Sequence, residues 1–394
     1  MSQNNRLTIR FMAVFLVAYI GFQLPYTQII PYLNHVGYSA SQRGVILAGM
    51  SLVGIFGQFL FGFLSDKYRT VKKFYYGTLV ALVLFSGSVY AVSGNIFYYH
   101  LITVAFTGGL FQIVVGLLDA WTLEINPYLV LHYGKIRAFG ALGWAIGAPI
   151  TALIVNQWGY DKIGWVNVLI TLVTFAISWT LKDAVKIPHK QGIHLADIKQ
   201  LIRRKEYIVL VSMLFMINII ASADMYTVID KILLLGGTNA QVSMKWSLQA
   251  IVELPLFFLG ARLLIRYGGK KLILFAIVMY FIRFLGYAWA NTPTLLIAFS
   301  GFQLVTFPLV NISSKVLIAG ESPDHLRSTG LLFAMSMSFS LASFVVPLIF
   351  GFIVERFGAD ATLIGIALSA TIPFCLGLWY LTMKPLEKIL IIES

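Results

Sequence analysis

Asp119, Arg137 and Trp144 are the residues of this 394-residue chain whose types and spacing most directly suggest chemistry. Trp144 follows Arg137 by two helical turns, so both project from one helix face. An acid, a forked base and an aromatic plate suit a sugar. The ring covers the apolar C–H face of a pyranose, while carboxylate and guanidinium hold its hydroxyls. A plainer reading is an ion pair closing the inner ends of two helices, with Trp144 as packing.

A second set lies later in the chain. Glu253 and Arg283 fall near the middle of two apolar runs joined by a short loop. A charge at the centre of a membrane helix costs roughly 2.5–3.5 kcal/mol on insertion scales, so these two are expected to face a cavity and each other. A carboxyl in a low-dielectric cavity is costly to ionise, so Glu253 can carry a proton near neutral pH. A static buried pair is the alternative. Asp224 offers a further carboxyl for the cavity, and Gln303 can bond a solute hydroxyl or a neighbouring helix. Asp230 and Lys231 read as a solvated, snorkelling pair at an outer helix end.

The elements that must position these groups are twelve long apolar runs, at about 11–33, 43–64, 74–93, 100–126, 136–157, 163–181, 207–233, 242–264, 272–290, 294–318, 329–353 and 361–383. Mean hydropathy is +0.83, and only 11% of residues are charged. Runs of about 20 residues are long enough to cross a bilayer as helices that satisfy their own backbone hydrogen bonds. No small-residue cleavage site follows the first run, so it reads as a span and not a secretory signal. The expected fold is an all-α integral membrane protein of twelve transmembrane helices. With the N-terminus inside, 23 of the 29 Lys and Arg fall on inner segments, which places both termini in the cytoplasm. The net charge of +13 then faces anionic lipid and calls for no nucleic acid. Cys375, the single cysteine, lies in the last run and reads as packing.

The longest polar seam, 182–206, contains Pro188, Gly192 and a basic amphipathic stretch from Ile193 to Ile202. It divides the chain into a six-helix bundle (1–181), a cytoplasmic linker (182–206) and a second six-helix bundle (207–394). The halves echo one another. Gly62, Asp66, Lys67, Lys72 and Lys73 between spans two and three correspond to Gly260, Arg262, Lys270 and Lys271 between spans eight and nine. Arg137-Ala-Phe-Gly140 corresponds to Arg327-Ser-Thr-Gly330. Two related bundles imply a solute site near the midplane with the halves rocking around it. Gly62 is expected to allow close helix contact, and Asp66 to pair with a base or a helix N-terminus, forming an inner latch.

The Gly62-x-x-x-Asp66-Lys67 loop resembles the signature loop of the major facilitator superfamily. The span-four acid Asp119, then Arg137, then Phe139-Gly140-x-x-Gly143-Trp144 resembles the oligosaccharide–proton symporter group that includes the lactose permease. The first span, with Pro25, Tyr26, Pro31 and Tyr32, is similar too. The resemblance implies that Asp119, Arg137, Trp144 and Tyr26 contact a sugar, and that Arg283 belongs to a proton-coupling network. The group has Glu at position 119, and its span-eight glutamate corresponds to Ala250, one turn from Glu253. It carries a histidine and a glutamate in span ten, where this chain has Gln303 and Thr306. All six histidines lie in seams or near span ends, so coupling would rest on Glu253, Asp224 or Asp119.

These readings favour a secondary transporter that takes up a sugar or oligosaccharide with protons, monomeric, in the cell membrane. The alternatives are a transporter of another solute such as a nucleoside or aromatic acid, an exporter, or a non-transporting receptor. No P-loop, HExxH or metal-ligand cluster occurs in the sequence, so no enzyme activity, cofactor or metal is expected.

Overall fold

The computed structural model describes residues 3–184, 195–323 and 326–383. Pro188, Gly192, Ile193, Lys186, Lys190, Lys384 and Lys388 lie outside them. The described residues form sixteen α-helices and no strand: α1 (Gln3–Thr27), α2 (Ile29–His35), α3 (Ala40–Tyr68), α4 (Lys72–Ala91), α5 (Phe97–Ile125), α6 (Pro127–Trp158), α7 (Lys162–Ser178), α8 (Leu195–Ile202), α9 (Lys205–Leu234), α10 (Asn239–Tyr267), α11 (Gly269–Trp289), α12 (Pro293–Ser300), α13 (Phe307–Glu321), α14 (Arg327–Met335), α15 (Leu341–Ser369) and α16 (Thr371–Thr382).

Each of the twelve apolar runs falls in helix. Nine helical stretches among the described residues are long and apolar enough to cross a membrane. The differences have local causes. Helix α7 is apolar but shorter. Helix α10 carries Lys245, Glu253, Arg262 and Arg266 along its length. The last two runs merge into one stretch, Phe333–Thr382, bent at Gly358, whose φ of 81° lies where a side chain would be strained.

Helix starts are written locally. Ser39 and Gln42 form a reciprocal capping box at α3, and Asn126 caps α6 ahead of Pro127 at its first position. Both satisfy amide groups that a helix N-terminus leaves without partners.

The chain divides into two compact units: 1–188 with 232–251, and 189–231 with 252–394. In the first, α1 lies along α6, and α3 along α5. The small-residue face of α6 makes the first contact possible: a Cβ on Gly143 would collide with the Leu16 carbonyl of α1. The ends of α3, α4 and α7 hold each other. Asp183, after α7, accepts the Thr70 hydroxyl at 2.5 Å and the Val71 and Lys72 amides at 3.0 and 2.9 Å. In return the Lys72 ammonium donates to the Trp179 and Leu181 carbonyls, each at 2.6 Å, at the end of α7. Each charge sits at the helix end of opposite partial charge.

In the second unit α11 packs on α13, α15 and α16. Its buried residues, among them Leu272, Ile273, Ala276, Ile277, Tyr280 and Arg283, recur at the three- and four-residue spacing of a helix stripe. Lys270 repeats the role of Lys72, donating to the Tyr380 and Met383 carbonyls at 2.9 and 2.8 Å. Among the described residues of this unit, regular α-helix also gives way to a 3₁₀ turn at Gly301–Val305 and a π turn at Ser336–Ser340.

Candidate functional site

Asp119 lies in the last two turns of α5, and Arg137 in the third turn of α6. Their side chains approach to 4.0 Å, with the Arg137 side chain 40% and the Asp119 side chain 28% exposed. Both side chains keep partial exposure, while the paired Asp119 Oδ1 is buried. The guanidinium also lies over the Tyr19 ring, 4.6 Å from its centroid. Gly140 makes room for it: a Cβ there would sit 3.0 Å from an Arg137 nitrogen and 3.1 Å from the Tyr19 ring. Tyr19 was not singled out from sequence, although it lies two turns before Tyr26 on the same face of α1.

Trp144 is half-buried in a cluster of rings within the first unit. Phe111, Tyr26 and Trp246 stand at centroid distances of 5.8, 6.0 and 6.3 Å. Tyr26 and Phe111 lie 4.4 Å apart. A column of rings joins this cluster to the charged pair: Tyr19 meets Phe22, and Phe22 meets Phe111. The buried Trp246 indole nitrogen has no hydrogen-bond partner among the described residues. Lys245, fully buried, places its ammonium 4.2 Å from the Trp246 ring centroid and donates to Gln249 at 3.2 Å. Trp246 and Lys245 were not singled out from the sequence.

The second unit gathers its polar groups more tightly. The Arg283 guanidinium, fully buried, donates to Asp224 at 2.8 Å, the Tyr287 hydroxyl at 2.8 Å, Thr306 at 3.1 Å, and the Gln303 side-chain oxygen. Tyr287 donates to the same Asp224 oxygen at 2.6 Å and lies 3.0 Å from Ser300 Oγ. Gln303 in turn donates to Glu253 at 2.5 Å. The expectation that Glu253 and Arg283 face each other is therefore revised. The 2.8 Å ion pair of Arg283 is with Asp224, and Gln303 carries the connection to Glu253. The reason is the 3₁₀ turn, which presents Gln303 between α10 and α11. Tyr287, Thr306 and Ser300 complete a network that sequence spacing did not reveal.

Lys231 is also corrected. It is 2% exposed, not solvated, and its ammonium donates to the Tyr287 and Ala288 carbonyls at 2.7 Å each while pairing with Asp360 at 2.8 Å. The free carbonyls at the end of α11 draw it inward. Asp230 is likewise buried.

At the loop after α3, Asp66 and Lys67 are exposed in the last turn, and Arg69 closes the helix in a left-handed conformation. Gly62 meets open space, so the close helix contact anticipated there is not made. Lys72 is the member of this group that is bound, to the end of α7, while Lys73 is exposed.

A family model described as the MFS_1 like family matches residues 7–364. The raffinose permease of Escherichia coli is 22% identical over 345 residues, covering 83% of this chain and 81% of that protein. The lactose permease of Klebsiella oxytoca is 21% identical over 338 residues, covering 80% and 79%. Among solved structures, that of the nucleoside transporter NupG matches with a TM-score of 0.79 at 14% identity, over 96% of this chain and all of that one; this likeness speaks to the fold.

Proposed function

The chain belongs to the MFS_1 like family of the major facilitator superfamily, and on that premise we propose that this multi-pass membrane transporter takes up a sugar or oligosaccharide together with protons. The observation that carries the reading is the first unit's arrangement: a partly accessible acid–base pair joined by edge-to-face and tilted ring contacts to the half-buried Trp144. Rings cover a pyranose face, and carboxylate and guanidinium take its hydroxyls. The Trp246 indole donates a further hydrogen bond to the cargo.

Proton coupling is assigned to the second unit. Its network holds one guanidinium and two carboxylates, so it is neutral only when one carboxyl keeps a proton. Asp224 accepts from both Arg283 and Tyr287, which leaves Glu253 to carry it. Binding and release of that proton make or break the Gln303 link, and with it the conformational preference of the 3₁₀ turn. The bundles 1–181 and 207–394 alternate access in a monomer, with 182–206 and both termini in the cytoplasm of a cell-membrane protein. The Lys and Arg asymmetry supports that orientation. Of the loop residues Gly62, Asp66, Lys67, Lys72 and Lys73, Lys72 carries the inner latch through its bonds to the end of α7.

A second cargo class has one specific observation in its favour. Four rings gathered at Trp144 suit a planar nucleobase or aromatic acid as well as a sugar. A thermal-shift screen of the purified protein against raffinose, lactose, nucleosides and phenylpropionate separates the two, since a ligand that binds the folded state stabilises it. The sugar reading expects stabilisation by the oligosaccharides. It also expects Trp144→Ala and Arg137→Lys each to lower uptake at least tenfold with normal membrane levels. Stabilisation by the aromatic solutes alone selects the second class, and unchanged uptake in both variants rejects the site.

A further inference from the structure

Next to the Asp224–Arg283 network, the second unit encloses a cavity of about 160 Å³ that no role above uses. Cavities of this size in proteins divide by lining. Apolar ones stay dry, and polar ones with hydrogen-bonding groups to offer hold ordered water. This one is lined by Asn218 on α9, Tyr280 on α11, Asn311 and Ser314 on α13, and Ser338 on the π turn, among apolar neighbours. Asn218 donates one bond to the Leu214 carbonyl, which leaves its amide oxygen for another partner. The Asn311 amide makes no side-chain hydrogen bond among the described residues. The cavity therefore has both the room and the groups to hold several waters.

Its position gives the water something to do. Ala221, in the lining, lies one turn from Asp224, and Tyr280 one turn from Arg283. Tyr280 is a hydrogen-bond neighbour of Thr306, which accepts from Arg283. From that junction the lining descends α9 to Leu214 and α13 to Ser314. Those are the helix halves that the charge asymmetry turns toward the cytoplasm. Both irregular turns of this unit adjoin it: the 3₁₀ turn ends one residue before Thr306, and the π turn supplies Ser338 and Phe339. Such turns interrupt a helix ladder at a cost and recur at functional sites.

We propose that this cavity is a water-filled vestibule through which the buried network exchanges protons with the cytoplasm. A proton held by a network carboxyl passes to a vestibule water and moves off as hydronium, leaving the carboxylate behind. The proposal rests on the proton-coupled reading above, and its test has one arm that does not.

In a Cys375→Ser background, Ser338→Cys and Asn311→Cys are exposed, in inside-out vesicles, to a small water-soluble methanethiosulfonate, which reacts with thiolate and so requires water. Both should label at least tenfold faster than Leu363→Cys at a dry, fully buried position of α15. Labelling no faster than that control overturns the vestibule whatever the cargo. In the second arm, Asn311→Leu and Ser338→Leu fill the cavity. Raffinose-driven proton movement should fall about tenfold, while raffinose exchange without net proton flow stays within twofold of the unmodified protein. Equal losses in both assays reject the proton route. Raffinose transport without proton movement in the unmodified chain overturns the coupling reading and the proton route together, and labelling then reports hydration alone.

Discussion

In the first unit Tyr90, near the end of α4, donates its hydroxyl to the Pro25 carbonyl of α1. In the second, Tyr287, near the end of α11, donates to the Asp224 carboxylate of α9. The two tyrosines stand at nearly the same distance from Lys72 and Lys270, the lysines that anchor their helices. One turn earlier, Ser86 takes a 3.0 Å bond from Asn167, where the second unit has Arg283. Equivalent positions thus hold neutral groups in one unit and a salt bridge in the other. The first unit keeps its own acid and base at a looser, accessible spacing, beside rings. Under the proposed function, a duplicated scaffold separates two tasks: grip of a cargo where charges meet solvent, and control of charge where they do not.

Glu253→Gln should abolish solute-driven alkalinisation of the medium, whereas Tyr90→Phe should leave it intact; proton movement that survives the first change moves the coupling role elsewhere. Asp224→Asn strands a buried guanidinium and should cost about 3–5 kcal/mol of stability. Tyr90→Phe leaves one neutral acceptor without its donor and should cost about 1–3 kcal/mol. Thermal unfolding in detergent ranks the two, and equal costs would erase the distinction drawn here. Among the anchors, Lys72→Met and Lys270→Met each remove charge-assisted bonds of about 1.5–3 kcal/mol. The two costs should be similar, because both ammoniums also lie over rings: Lys72 near Tyr76, Trp121 and Trp179, and Lys270 4.2 Å from the Tyr380 centroid.

The smallest effect concerns acid. Burial pushes the Asp183 carboxyl up, but the Thr70 hydroxyl and the amides of Lys72, Val71 and Ala184 outweigh it and hold the group below the usual carboxylate range. A depressed folded-state value means that the stabilisation is present above the unfolded value, near pH 4, and is lost as pH falls through the folded one. Asp183→Asn should flatten that part of the acid unfolding curve without altering its neutral limb.

Much of the fold was legible because hydropathy and helix periodicity are local properties. Gly140, Gly143 and Gly147 recur at the spacing of one face of α6, and α1 occupies that face. What spacing could not supply was register between distant helices. Asp224, Arg283 and Gln303 lie on three of them, so the ion pair fell to Asp224 where proximity along the chain had suggested Glu253. Lys231 was misread for a similar reason: the carbonyls that bind it belong to the end of α11, whose place beside α9 is a tertiary fact. Tyr19 was readable from its spacing to Tyr26, yet its role depends on Gly140 clearing space across the interface.

Complete enclosure of Arg283 has a bearing on biogenesis. A lone helix bearing that guanidinium enters lipid at a disadvantage of about 2.5–3.5 kcal/mol. The earlier-synthesised α9 holds the counter-ion, so docking of α11 against α9 offsets that cost. The carboxylate is in the membrane before the cation that needs it arrives.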